Sequence, residues 1–240
     1  MASENEENHY DSFAEFYDDI MLAGYYDYDK QISELAKIVP QGCHILEIGV
    51  GTGLLAEKLV EQGFKVTGID HTAEMIEIAE KRLGNSVELF TADVCRMRLP
   101  ATYDCVISNG GVWYGVVDKE TGEYRYCGHL TAHADIAASI EAVCNHLGPD
   151  GRLVLSTQDI HRNLSLDLPG GGKYTQVITD AGGNTIQKDY IKTTAAGEQT
   201  ETLYLTYIER DVFEGEMAKH GFTIQPVTAE TKYIVFERGA

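Results

Sequence analysis

Several things are scarce in this chain. Its 240 residues hold only five cysteines, Cys43, Cys95, Cys105, Cys127 and Cys144, an odd number, scattered, with no Cys-x-x-Cys pair. A disulfide framework is therefore not expected, and reduced thiols are. Basic residues number 19 against 38 acidic ones, a formal charge of −19. An acidic surface repels phosphate backbones and anionic lipid, so neither nucleic acid nor a membrane is an expected partner. No apolar run approaches the roughly 18 residues of a membrane helix. The first ten residues are acidic and polar, unlike a signal peptide, so a cytoplasmic location is expected. Internal repeats and low-complexity tracts are missing as well. The length suits one domain, or one with an appended lobe, that buries a full core without metals or disulfides.

What is present is an alternation of strands and helices. Residues 9–39 read as helical, with Phe13, Phe16, Tyr17, Ile20 and Met21, then Ile32, Leu35, Ala36 and Val39, at helical spacing; Pro40-Gln41-Gly42 ends the run. Short buried strands are expected at 44–48, 65–69, 87–91, 105–107 and 152–156, with helices at 54–62, 73–83 (Thr72 as cap) and 134–147. This predicts an α/β, Rossmann-like doubly wound sheet, mostly parallel, with helices on both faces and binding at the carboxyl ends of the strands. After Thr157 the texture changes. Residues 173–179, 185–193 and 201–208 are rich in Thr, Tyr, Val and Ile and are split by Asp180-Ala181-Gly182-Gly183 and Ala195-Ala196-Gly197-Glu198, which reads as antiparallel hairpins. A helix at 209–220 and strands at 223–228 and 232–237, the last antiparallel, close the chain. The expected organisation is an N-terminal helical lid over 1–40 and a core over 41–240 with the hairpin insertion at about 170–208.

The strongest local signal is Ile45-Leu46-Glu47-Ile48-Gly49-Val50-Gly51-Thr52-Gly53. A buried strand delivers a carboxylate and then three glycines at alternate positions. Glycine allows a tight turn and close approach of a ligand to the main chain, and the helix that follows offers free N–H groups. Dinucleotide sites use Gly-x-Gly-x-x-Gly around a pyrophosphate. Here the third glycine comes one residue early, and Glu47 would repel a pyrophosphate yet attract an ammonium group. Asp70 closes the second strand, where a carboxylate can accept two ribose hydroxyls. Asp93, after the third strand, offers a carboxylate beside a backbone N–H, which suits an adenine edge.

Glu47, Gly49-x-Gly51-x-Gly53, Asp70, Asp93 and the Leu147-Gly148-Pro149-Asp150-Gly151 turn, in this order, resemble a class I S-adenosylmethionine-dependent methyltransferase over about residues 42–158. The hairpins and the segment Tyr10-Asp11-Ser12-Phe13-Ala14-Glu15-Phe16-Tyr17-Asp18 resemble small-molecule N-methyltransferases such as glycine N-methyltransferase and amino-sugar N-methyltransferases. The resemblance implies S-adenosyl-L-methionine as cofactor. It implies Gly49, Gly51 and Gly53 along the methionine moiety, Glu47 supporting its ammonium end, and Tyr17 and Tyr28 on its carboxylate. Asp70 would hold the ribose, Asp93 and Val94 the adenine between His71 and Met75, and Ser108 and Asn109 would lie beneath the sulfonium. Nucleic-acid base methyltransferases carry an Asn/Asp-Pro-Pro-Tyr-like motif after the fourth strand; Ser108-Asn109-Gly110-Gly111-Val112-Trp113-Tyr114 departs from it.

The acceptor side is less defined. Trp113, Tyr114 and Tyr174 are candidate substrate-binding residues, by walling the acceptor or holding a cation on a π face. His129, His133 and His161 are candidate general bases because histidine titrates near neutrality. Cys127, His129 and His133 have metal-like spacing but no second ligand cluster, so no metal is expected. The expected reaction is methyl transfer to a small-molecule amine or hydroxyl by in-line displacement, with alignment as the main catalytic effect. Two alternatives stay open: a cofactor-bound protein that catalyses a non-methylating step or acts as a scaffold, and a nucleotide-binding oxidoreductase. The hairpins also offer an edge through which two copies could pair.

Overall fold

The computed structural model of the protein describes residues 14–239. His9 and Tyr10 to Phe13, read as part of the helical lid, lie outside the described residues. The elements run α1 (Ala14–Ile20), α2 (Tyr28–Ile38), β1 (His44–Ile48), α3 (Leu54–Glu61), β2 (Lys65–Asp70), α4 (Ala73–Leu83), β3 (Glu88–Thr91), β4 (Tyr103–Ser108), β5 (Trp113–Val117) and β6 (Tyr124–Gly128). They continue as α5 (His133–His146), β7 (Leu147–Gln158), β8 (Leu164–Asp167), β9 (Lys173–Gly182), β10 (Thr185–Thr194), β11 (Gly197–Ile208), α6 (Arg210–Lys219), β12 (Phe222–Ile224) and β13 (Tyr233–Arg238).

The helical run expected over 9–39 is broken. A wide π-turn at Met21–Tyr25 ends α1, Gly24 takes φ 104°, and Asp27 caps α2 by accepting the Lys30 N–H at 3.0 Å. Gly24 tolerates a backbone that other residues resist, and the cap restarts the helix in a new direction. Thr72 sits at the N-cap position of α4, but its side chain makes no cap bond; Asp70 Oδ1 accepts the Thr72 N–H instead.

The parallel half is ordered β3-β2-β1-β4-β7, and β13 then lies antiparallel along β7 with β12 beyond it. Both faces of this half are covered, so its strands read as continuous apolar runs. Leu46, Ile48, Val106 and Leu153 pack against Ile136, Ile140 and Val143 of α5 and Phe213 of α6. Ile45, Ile107 and Val154 pack on the other face against Ile32 and Leu35 of α2, Leu59 of α3 and Ala79 of α4. Each such buried Leu or Ile contributes roughly 1.5–3 kcal/mol relative to exposure.

Strand β7 is the hinge of the architecture. Its middle, Arg152–Ser156, pairs with β13, and its last residues, Thr157 and Gln158, pair with Gly115 and Val116 of β5 respectively. From there an antiparallel sheet continues in the order β5-β6-β11-β10-β9-β8. The β5–β6 hairpin and β8 were not expected from the sequence. Trp113 to Val117 is buried throughout, so the alternation that marks a half-exposed strand is absent. The inner face of this sheet packs Tyr174, Tyr190 and Leu203 against Phe16, Ile20 and Met21 of the N-terminal segment. Polar ties add to this contact: Lys192 Nζ lies 3.1 Å from Asp19, while Asp18 accepts from Thr52 Oγ1 at 2.5 Å and pairs with Arg82. The segment around α1 is thus anchored to both halves of the sheet.

Candidate functional site

At the carboxyl ends of β1 to β4 lies a cavity of about 520 Å³, within the range of small-molecule and cofactor sites. The glycine turn forms one wall. Gly49, Gly51 and Gly53 all have positive φ (70°, 56° and 84°). At Gly49 the reason is steric as well: a Cβ there would come 2.8 Å from Gly111 Cα, so the turn after β1 and the turn after β4 touch backbone to backbone. Gly111 is equally constrained by the Ile48 and Gly49 carbonyls. The Gly110-Gly111 pair was visible in the sequence, but nothing there linked it to Gly49.

Asp70 stands at the centre. Its Oδ2 accepts the Gly51 N–H at 2.9 Å and its Oδ1 the Thr72 N–H at 3.0 Å. The His71 N–H also reaches this carboxylate, and the acceptor capacity that remains can take hydroxyl donors from the cavity. Burial pushes its pKa up, opposed by the N–H bond from Thr72 and by His71. Asp93 lines the cavity with Oδ1 taking the Cys95 N–H at 2.8 Å. Tyr17, His71, Met75, Val94 and Asn109 line it too, Tyr17 beside Gly51. A turn without side chains, a carboxylate beside it and the Tyr17 ring over it suit an adenosyl ligand.

Other expected site residues sit elsewhere. Glu47 is 3% exposed and lies under the turn, with Oε2 making no hydrogen bond. Burial, and then the Asp70 charge, hold its pKa well above the usual carboxylate range. Tyr28 packs in the interior within the field of Glu47 and Asp18, and is not a cavity residue. Ser108 is fully buried and its Oγ accepts the Trp113 N–H at 3.0 Å, which fixes the turn after β4. Asn109, by contrast, stays on the cavity wall and exchanges two amide hydrogen bonds with Gln31 of α2, at 3.1 and 3.2 Å.

Trp113 faces the core, edge-on to Phe213 at 5.5 Å. Tyr114 and Tyr174 are buried on the hairpin sheet. Tyr114 Oη bonds His161 Nε2 at 2.8 Å and donates to Cys127 Sγ at 3.3 Å, and Tyr174 Oη donates to Gln176 at 3.2 Å. Of the three histidines, His129 lines the cavity, His161 lies behind Tyr114, and His133 is exposed at the start of α5. Burial, and next the Lys188 charge, push the pKa of His129 and of His161 down to about 3. Lys188 itself is 2% exposed; its Nζ donates to Tyr25 Oη at 2.7 Å and sits over the rings of Tyr25 and Tyr190. A lysine in a Thr/Tyr-rich strand gives no sequence signal of burial. Cys127, His129 and His133 do not converge, and among the described residues no group of three His, Cys, Asp or Glu side chains is placed to hold a metal ion. Among the same residues no helix is long and apolar enough to cross a membrane.

Comparison with known proteins agrees with this geometry. A family model described as "Methyltransferase domain" matches residues 45–151. A Streptomyces fradiae dTDP-3-amino-3,6-dideoxy-alpha-D-glucopyranose N,N-dimethyltransferase is 25% identical over 179 residues, 73% of this chain and 62% of that protein. The chain spans about half the length of the curated relatives it matches. The fold resembles that of Streptomyces venezuelae DesVI, with TM-score 0.74, 17% identity and coverage of 95% of this chain and 98% of that one. It also resembles the SAM-bound amino pentose methyltransferase CalS10 from Micromonospora echinaspora, with TM-score 0.72, 20% identity and coverage of 93% and 96%. Residues 45–151 therefore match a methyltransferase domain, and the fold of the chain is that of the methyltransferase structures it resembles.

Proposed function

We propose that the protein transfers a methyl group from S-adenosylmethionine to the amine of a small-molecule acceptor in the cytosol, by in-line displacement. The observation that carries this reading is the single cavity that joins the glycine turn, the doubly anchored Asp70 and Asp93 beneath one lid residue, Tyr17. When bound, the cofactor supplies an activated methyl group on a sulfonium whose sulfur leaves as a neutral thioether. In this reading Asp70 takes the ribose hydroxyls, and Asp93 and Val94 face the adenine with His71 and Met75 beside it. Gly49 and Gly51 admit the methionine end, and Tyr17 excludes water over it. The work left to the chain is alignment and desolvation.

The nearby bases favour an amine over a hydroxyl. A hydroxyl acceptor needs proton removal by a group titrating near neutrality. His129 and His161, held at about 3, are neutral at pH 7 and weakly basic. An amine needs only to arrive unprotonated, and the ammonium that methyl transfer forms loses its proton to water after the transfer. The S. fradiae relative acts on an amino sugar, which is consistent with this reading.

The test has two parts. Calorimetry on ligand-stripped protein should register S-adenosylhomocysteine and not NAD; the reverse result restores the oxidoreductase alternative. Methyl-labelled cofactor incubated with matched amine and hydroxyl acceptors should label the amine. Cofactor recovered intact with every acceptor would point to a scaffold or a non-methylating step, and label on the hydroxyl alone would overturn the amine assignment.

A further inference from the structure

Lys188 of β10 is a buried charge with no part in the transfer described above. It is 2% exposed and forms no ion pair among the described residues, in a chain with 38 acidic side chains. Its Nζ donates to Tyr25 Oη at 2.7 Å and lies 5.1 Å and 4.6 Å from the ring centres of Tyr25 and Tyr190. His129 and His161 feel its field and offer no counter-charge. An ammonium has three N–H donors, and among the described residues one is used. Taking an ammonium out of water is costly, and the cost is offset only when the charge is paired and the remaining protons are bonded. One phenol oxygen and two ring faces offset part of it. The covered state therefore carries a cost that hydration removes once Tyr25 moves off. A methionine would sit between the two rings without that cost.

Lys192 of the same strand shows the contrast. It is four residues on, so it shares the face of Lys188 and reaches the same N-terminal segment. Its Nζ is paired with Asp19 of α1 at 3.1 Å, and both side chains are partly exposed. Only Lys188 contacts that segment without a carboxylate.

Tyr25 has room to leave. It is half-buried and ends the π-turn Met21–Tyr25 between α1 and α2. It also lines a second cavity, of about 210 Å³, beyond the carboxyl end of β7 and between α2 and the approach to β13. Side chains part this space from the larger cavity: Gln31 bonds Asn109, and Tyr26, held by Gln158 at 2.7 Å, rests against Gly110. One side chain, Tyr25, thus both covers the ammonium and borders open space. The segment it belongs to carries Tyr17, which lies beside Gly51 in the wall of the larger cavity.

We propose that Lys188 sets how readily the segment Ala14 to Tyr25 lifts off the hairpin sheet, and so how fast the nucleoside product leaves the larger cavity. Its unpaired ammonium keeps the closed arrangement reversible. Lys188 lines neither cavity and acts through Tyr25, so it is a positioning residue. The proposal rests on the reading of the larger cavity as the S-adenosylmethionine site and adds which side chain governs release from it.

Release of labelled S-adenosylhomocysteine into excess unlabelled nucleoside tests it. Lys188→Met should slow release by about threefold or more, with Tm no lower, because an apolar side chain replaces an unpaired charge. Amide exchange over residues 14–25 should slow with it. Tyr25→Phe removes the one hydrogen bond of the ammonium and should speed release by about threefold or more. The double variant should release as slowly as Lys188→Met, since the hydroxyl then has no ammonium to serve. Unchanged or faster release in Lys188→Met, or a lower Tm, overturns the proposal, because the ammonium would then hold the segment down or do nothing. A double variant as fast as Tyr25→Phe overturns it too. So does unchanged or slower release in Tyr25→Phe, which decides alone should Lys188→Met not fold. Failure of S-adenosylhomocysteine to bind the unsubstituted chain is a different result and sinks the reading of the larger cavity instead.

Discussion

The two cavities lie on either side of Tyr26 and Gln31 and are built from different materials. The larger cavity has one wall of backbone: glycines with positive φ at Gly49 and Gly51, the contact of Gly49 with Gly111, and the Gly51 and Thr72 N–H groups that hold Asp70. The second cavity is side chains, drawn from α2, the end of β7 and the approach to β13, segments far apart in the chain. Backbone walls tolerate no substitution because nothing in them can rotate. Side-chain walls can be rebuilt residue by residue without disturbing the sheet behind them.

That contrast can be broken at its strong end first. Asp70→Ala removes the acceptor of the Gly51 and Thr72 N–H groups and, in the proposed reading, of the ribose hydroxyls, so S-adenosylhomocysteine affinity should fall about 100-fold by calorimetry. Gly49→Ala should come next: with φ of 70° and no room for a Cβ, it should cost roughly 1–3 kcal/mol in urea unfolding and weaken nucleoside binding with it. If Gly49→Ala were as well tolerated as Lys30→Ala in the wall of the second cavity, the distinction between the two cavities would collapse.

Titration sharpens the comparison further. Glu47 has a raised pKa in the fold, so its contribution to stability is complete below the ordinary glutamate value and is lost as pH rises through the folded one. Glu47→Gln should therefore raise Tm at pH 8 and leave it unchanged near pH 4. His129 and His161 behave in the opposite sense. Depressed to about 3, they leave stability complete above pH 6.5, and it is lost as pH falls from there towards 3. His161→Gln, which can still bond Tyr114, should flatten that acid limb in a Tm-versus-pH series. The smallest effect belongs to the lid. Lys192→Ala removes a partly exposed pair with Asp19 and should cost under about 1 kcal/mol.

Legibility follows the same line. The parallel strands could be read because burial on both faces makes them apolar runs, and the glycine turn could be read because only glycine meets its backbone demands. The β5–β6 hairpin could not, since Trp113 to Val117 is buried on both sides and shows no alternation. Trp113 and Tyr114 followed the fourth strand, as acceptor residues would, yet the first packs on Phe213 and the second is locked to His161. In a sequence, an aromatic side chain for packing and one for a ligand look the same. Tyr25, Tyr26, Gln31 and Lys188 carried no signal, because each takes its meaning from a neighbour tens of residues away.

The sequence by itself determined the alternating architecture, the turn from Gly49 to Gly53 and the carboxylates at Asp70 and Asp93. These depend on local backbone sterics and on positions relative to strand ends, which travel with the chain. The tertiary structure alone decided that β7 feeds two sheets, that Gly111 meets Gly49, and that Lys188 meets Tyr25. Those facts depend on which distant segments are brought within a few ångströms, and no short pattern of residues encodes that.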